Sequence, residues 1–222
     1  MSEKILFVIT NFSKINHDIM TGVYMEEFAE PYLIFEATGY DITVASPKGG
    51  ISPIDEKSLS CSNPMEWDEA AKHLKNTEKL SEVDIENYDV LFLPGGHGPM
   101  FDLATDETLC EVVEYFCEHD KIIAALCHGP AGLLSAKKPD GRPFVEGKTL
   151  TSFTNKEEDI VKMSEFMPFS LEDTLIKLGA DFISDKPWAE HVEIDGNLIT
   201  GQNQNCAVSV AQEVINLLNK NI

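Results

Sequence analysis

A cysteine at the end of an apolar run is the first group in this chain with the setting of a nucleophile. Cys127 follows Ile122-Ile123-Ala124-Ala125-Leu126 and precedes His128-Gly129-Pro130-Ala131-Gly132. A buried strand that ends on a cysteine and turns at once through small residues into a helix holds the side chain in a tight backbone geometry and projects it into a crevice. Gly129 supplies the small residue, and Pro130 can open the helix. The helix N-terminus would bring unpaired N–H groups and a positive dipole end to the sulfur, favouring thiolate over thiol. The plain alternative is a cysteine that merely ends a strand, because free cysteine is among the most buried residue types. The adjacent histidine and glycines favour a reactive thiol able to act as a nucleophile.

A second apolar run, Leu91-Phe92-Leu93, leads into Pro94-Gly95-Gly96-His97-Gly98. Backbone N–H groups of such a loop can face a substrate oxygen, which makes Gly95, Gly96 and His97 candidates for an oxyanion hole or substrate contact. The same glycines could instead only supply positive φ to a tight turn. Cys61, Cys110, Cys117 and Cys206 keep the structural reading. With five cysteines, no C-x-x-C pair and no zinc-finger spacing, reduced thiols are expected rather than disulfides or a structural metal. Gly141-Arg142-Pro143-Phe144-Val145-Glu146-Gly147-Lys148-Thr149 imitates a phosphate loop, but its glycines are one residue too far apart and no strand precedes it. It is read as a hairpin-like turn, and no cofactor or metal is expected.

Strands are predicted at the branched apolar runs Ile5 to Ile9, Ile42 to Ala45, Val90 to Leu93 and Ile122 to Leu126. Helical spacing joins Met25, Phe28, Ala29 and Tyr32, and again Leu109, Val112, Val113 and Phe116. Leu171, Leu175 and Leu178 mark a later helix ended by Gly179, and Ala207, Ala211, Val214 and Leu218 mark a last one. Alternating strands and helices imply right-handed crossovers, a mostly parallel sheet covered on both faces, and a site at the strands' carboxyl ends. Residues 48–86 lack apolar periodicity for a sheet element and read as a cap or insertion with a short helix near 66–75. Its Met65 and Trp67 would line a pocket or pack the insertion onto the core.

The 222 residues, 43% of them hydrophobic, suit one domain spanning 1–222. Seventeen Lys and Arg against 38 Asp and Glu give a formal net charge of −21, which repels phosphate backbones and anionic lipid and disfavours nucleic acid as a partner. The N-terminal apolar run is too short for a signal core, and no run reaches the roughly 18 residues of a membrane helix. The expectation is a soluble, cytoplasmic protein.

Taken together, Pro94-Gly95-Gly96-His97-Gly98 and Ala125-Leu126-Cys127-His128-Gly129-Pro130-Ala131 resemble the ThiJ/PfpI superfamily. More narrowly, the chain looks like its glutathione-independent glyoxalase branch, also called glyoxalase III or the heat-shock chaperone-like branch. Further matching pieces are Thr21-Gly22-Val23-Tyr24-Met25-Glu26-Glu27, Gly141-Arg142-Pro143, Glu146-Gly147-Lys148, Phe153-Thr154 and Pro187-Trp188. The resemblance implies an α/β, flavodoxin-like three-layer sandwich related to class I glutamine amidotransferases, assembled as a homodimer. It also implies conversion of methylglyoxal or related 2-oxoaldehydes to 2-hydroxy acids such as lactate, without glutathione or metal, with chaperone and deglycase activities attributed as well.

Carried over by position, Cys127 matches the nucleophile, His128 its neighbouring histidine, Glu158 the triad acid and Glu27 the buried glutamate beside the sulfur. Glu157 competes with Glu158 by one register, and Glu26 and Glu30 compete with Glu27. Pro31 should make the helix around Glu27 begin or kink nearby. Two rivals remain open. His191-Val192-Glu193 resembles the late His-x-Glu of glutamine amidotransferases and would give a Cys127-His191-Glu193 triad; read plainly, it is a strand before the turn at Asp195-Gly196-Asn197. The other is a non-enzymatic chaperone or a redox sensor built on Cys127.

Overall fold

The computed structural model describes residues 2–59 and 67–220; Cys61 and Met65 lie outside them. The first strand, β1 (Lys4–Val8), continues as an extended segment through Ile9, and along it Ile5, Phe7 and Ile9 enter one core while Leu6 and Val8 enter another. That alternation, with every side chain apolar, demands cover on both faces of the sheet. Helices α1 (Met25–Thr38), α2 (Trp67–Ala71) and α6 (Ala207–Lys220) cover one face; α3 (Glu107–Glu118) and α5 (Leu171–Lys177) cover the other.

Between them lie β2 (Asp41–Ser46), β3 (Glu78–Lys79), β4 (Val90–Leu93), β5 (Ile122–Leu126), β8 (Val192–Asp195) and β9 (Leu198–Gly201), in the order β3-β2-β1-β4-β5-β9-β8. Only β8 is antiparallel, paired to β9 through the turn at Gly196-Asn197. The strand β6 (Thr149–Leu150) forms a separate parallel pair with β7 (Asp181–Phe182), and the short helix α4 (Asn155–Ile160) lies between them in sequence. Among the described residues, no helix is long and apolar enough to cross a membrane.

Two expectations need correction. Residues 48–86 do contribute to the sheet: Glu78 and Lys79 add the edge strand β3 against Ala45 and Ser46. The period was invisible because a two-residue edge strand has no room for one. Trp67, Ala70 and Leu74 of the same segment are buried with α1, and Trp67 donates its indole N–H to Glu30 at 2.7 Å. The turn after Cys127 is not the start of an α-helix but 3₁₀ structure over Gly129–Leu133. The chain there passes against β4, where a Cβ on Gly129 would lie 2.0 Å from the Leu93 carbonyl oxygen. A 3₁₀ segment this short carries little dipole, so the expected stabilisation of a thiolate loses its source.

Helix α1 begins at Met25, which puts Glu27 in its first turn. Pro31 sits inside the helix and removes the N–H that Glu27's carbonyl would otherwise accept.

Candidate active site

Adjacent parallel strands β4 and β5 end beside each other, so the loops following them, Pro94–Gly98 and Cys127–Gly129, meet at one carboxyl edge of the sheet. Cys127 has φ +57°, a left-handed conformation that costs a residue with a Cβ about 1 kcal/mol or more. It is held there from both sides: its N–H donates to the Gly201 carbonyl and its own carbonyl accepts from the Phe153 N–H, each at 2.9 Å. The outcome is a sulfur turned out of the strand. Gly95 makes room for it, since a Cβ there would lie 2.6 Å from the His128 nitrogen and 2.8 Å from Glu27 Oε2.

Glu27 is fully buried. Its Oε2 accepts the Gly95 N–H at 2.7 Å, its carboxyl is in hydrogen-bonding contact with the Cys127 thiol, and its Oε1 is buried with no partner. Burial raises the Glu27 pKa to about 8, against the opposing hydrogen bonds from Cys127 and Gly95. Burial likewise pushes the Cys127 thiol well above its ordinary value, reinforced by the charge and hydrogen bond of Glu27 and opposed by the Gly96 N–H. Burial thus disfavours the charged form of both groups and works against the thiolate expected from the sequence. Gly95 is corrected as an oxyanion donor, because Glu27 already takes its N–H, whereas the Gly96 N–H faces the Cys127 sulfur. Of the competing carboxylates, Glu30 faces Trp67 and Glu26 is only half-buried.

Divergence of adjacent side chains proves no obstacle for His128, whose Nδ1 lies 3.3 Å from Cys127 Sγ. Its Nε2 is 2.7 Å from Glu158 Oε2, while Nε2 of His97 is 2.7 Å from Glu158 Oε1. Burial works to raise Glu158, but the two imidazoles, through charge and hydrogen bonding, outweigh it and hold the carboxyl well below the usual range. An ionised carboxylate only accepts, so both histidines carry their proton on Nε2. His128 Nδ1 is left free to accept from the thiol. Burial and the neighbouring His97 keep His128 neutral more strongly than Glu158 charges it. These three side chains also offer ligand atoms within 4.8 Å of one another, a group a metal ion could bridge. With both Nε2 protons already received by the carboxylate, they are complete as a hydrogen-bonded network.

The uncertainty between Glu157 and Glu158 ends in opposite fates. Glu157 is fully buried and accepts five hydrogen bonds: Oε1 from Trp188 N–H, Gln202 and Asn203, Oε2 from the N–H and hydroxyl of Thr154. Its bonds with Thr154 form a capping box that starts α4 and presents Glu158, one residue on, to the histidines. The rival triad does not assemble. His191 lies 3.0 Å from Glu193, without hydrogen-bond alignment. Glu193 is in β8 and His191 immediately precedes it, and β8 lies beyond β9, roughly two strand spacings or 10 Å from β5.

A cavity of about 140 Å³ opens over the sulfur, lined by Tyr24, Gly96, Phe153, Val161 and Trp188 among others. Phe153 packs on His128 at 4.6 Å and on Trp188 at 5.7 Å between ring centres. Sequence reasoning gave Phe153 and Trp188 no role, although a Trp after a Pro between two strands is a visible signal; Trp188 has φ +66° and its N–H is held by Glu157. A larger cavity, about 300 Å³, lies on the far side of Phe153 and Glu158 and does not include the cysteine.

The chain matches the DJ-1/PfpI family over residues 15–217. It is 29% identical to "Glyoxalase 3" of Candida albicans, covering 96% of this chain and 97% of that protein. It is also 29% identical to "Glutathione-independent glyoxalase HSP31" of Saccharomyces cerevisiae, covering 97% and 98%. The crystal structure of glyoxalase III from Candida albicans superposes with a TM-score of 0.89 at 30% identity, over 96% of both chains. A strained cysteine at the end of the fifth strand, in a doubly covered parallel sheet matched along nearly its whole length, places this chain in the DJ-1/PfpI family.

Proposed function

We propose that the chain is a cysteine-dependent, glutathione-independent glyoxalase that converts methylglyoxal or a related 2-oxoaldehyde to the 2-hydroxy acid, lactate in the case of methylglyoxal. The observation that carries this reading is the fully buried carboxyl of Glu27 beside the Cys127 thiol, one oxygen still unpartnered. A cysteine hydrolase needs a base for its thiol and its water. An isomerisation of aldehyde and ketone into hydroxy acid needs, in addition, a group that moves hydrogen between two carbons.

In this reading His128 Nδ1 takes the thiol proton as sulfur attacks the aldehyde carbon, then returns it to the new C1 oxygen to give a hemithioacetal. The Gly96 N–H supports the developing oxyanion. Glu27, in its ionised fraction, removes the C1 hydrogen and delivers it to C2 through an enediol. Water then releases the acid from the thioester. A cavity of about 140 Å³ has room for only a few water-sized groups, which suits a compound of few carbons. His128, oriented by Glu158, serves as the acid–base group on sulfur and oxygen. The same reading has a soluble, cytoplasmic homodimer acting on small molecules without nucleic acid; the net charge of −21 and the free thiols at Cys110, Cys117, Cys127 and Cys206 support it.

The test is lactate formation from methylglyoxal without glutathione, compared between the parent protein and Cys127→Ala. The variant is expected to lose at least about 10³-fold in rate. A variant that keeps the parent rate removes the sulfur from the mechanism.

A further inference from the structure

Glu158 treats two histidines alike. Each of its oxygens receives one Nε2–H at 2.7 Å, and the two rings stand 4.4 Å apart between centres. The remaining ring nitrogen is Nδ1 in both. That of His128 meets the Cys127 sulfur; that of His97 has no hydrogen-bond partner among the described residues, and His97 lines the cavity over the sulfur. The His97 side chain is 12% exposed and that of His128 is 2% exposed, so His97 is the ring of the pair that reaches the open side of the cavity.

An aldehyde-to-acid isomerisation moves more than a carbon-bound hydrogen. As C1 becomes a carbonyl its oxygen loses a proton, and as C2 becomes an alcohol its oxygen gains one. Glu27 is occupied with the carbons, and His128 stands beside sulfur and the C1 oxygen.

We propose that His97 is a second catalytic acid–base group, serving the oxygen on C2 of the substrate and working as a pair with His128 across Glu158. This rests on the glyoxalase reading above. In its charged form His97 gives the Nδ1 proton to the C2 oxygen, forming that O–H bond, while the C1 O–H bond breaks and its proton passes to Nδ1 of His128. The single positive charge moves from one ring to the other beside a common counter-ion, so no new charge is created in the closed site. In the hydrolytic step the attacking water gives a proton to His97 and the leaving sulfur takes one from His128. Both rings then return to their starting states.

His97→Gln separates this role from a structural one, because its amide can still donate to Glu158 but offers no basic nitrogen. For lactate formation from methylglyoxal, kcat should fall by about 10²- to 10³-fold with KM changed by less than about threefold. Alkylation of Cys127 by iodoacetamide, and its protection by methylglyoxal, should stay within about twofold of the parent. In His97→Ala, added imidazole should restore the rate by about tenfold or more. The proposal falls if kcat in His97→Gln stays within threefold of the parent. It falls equally if alkylation slows in step with turnover, since His97 would then act on the thiol through Glu158. A parent protein that makes no lactate, or makes it equally with Cys127→Ala, overturns the glyoxalase reading itself, an outcome distinguished by involving no His97 variant.

Discussion

Two carboxylates in this molecule are wholly buried at the same edge of the sheet, and they are treated in opposite ways. Glu157 has both oxygens saturated by five donors drawn from α4, the Trp188 segment and the residues after β9. Glu27 has one backbone donor and an oxygen with nothing to bond. A charge taken out of water must be compensated by its surroundings or be neutralised by a proton. The donors to Glu157 tie three segments together. Glu27 lacks such donors, so it keeps a proton to about pH 8 and is ready to exchange it. The lesson is that a buried carboxylate's unmet hydrogen bonds, more than its burial, separate chemistry from architecture.

The sharpest way to break this contrast is Glu27→Gln, which keeps the shape and removes the exchangeable proton. Lactate formation should fall by about 10³-fold, read by steady-state rates, with the protein still folded. If the rate survived, the unmatched oxygen would have no chemical role.

The matching change in the other region should act on stability instead. In Glu157→Gln an amide NH₂ replaces one acceptor and faces donors in either orientation, which should cost about 2–4 kcal/mol in urea unfolding. Loss of activity at unchanged stability would mean that Glu157, too, belongs to the reaction.

The pH dependence should distinguish the pair as well. A general base with a pKa of about 8 is mostly protonated at pH 7, so the ascending limb of kcat/KM should lie near neutrality or above, and an ascending limb at the ordinary carboxylate value of 4.5 would contradict the assignment. Stability runs the other way. Glu27 is protonated in both states below the unfolded value of 4.5; between there and 8 the folded state holds a proton the unfolded chain has released, so stability falls as pH rises. Glu27→Gln lacks this loss and should gain on the parent by up to about 4 kcal/mol from pH 5 to pH 9, measured by denaturant melts.

The smallest effect should come from outside both regions: His191→Ala is expected to stay within about twofold in rate, because His191 sits at the start of the edge strand β8 and its ring faces Glu193. A large loss would restore the alternative triad.

Much of this was legible beforehand. The four buried strands, the helices at Leu109 to Phe116 and after Ala207, and the turn at Cys127 follow from runs and periods that are properties of neighbouring residues. The choice of Glu27 over Glu26 and Glu30 came only from resemblance, since three glutamates within one helical turn differ just in which way they face. Glu157 and Glu158 are the same problem at a helix start, where consecutive side chains point about 100° apart and only the packed surroundings say which meets a histidine. The edge strand Glu78–Lys79 was missed because two exposed charged residues carry no strand pattern.

What the sequence by itself determined is where a nucleophile can stand: an apolar strand, a cysteine and small residues compel a tight turn at a sheet edge, because each constraint is local. What only the tertiary structure decided is the state of that nucleophile and the company it keeps. Whether Cys127 is thiol or thiolate depends on desolvation and on a carboxyl about 100 residues away in sequence, and the pairing of His97 with His128 depends on one carboxylate reached from a third segment. Electrostatic energies follow distance and burial in space, and neither is written in the order of the residues.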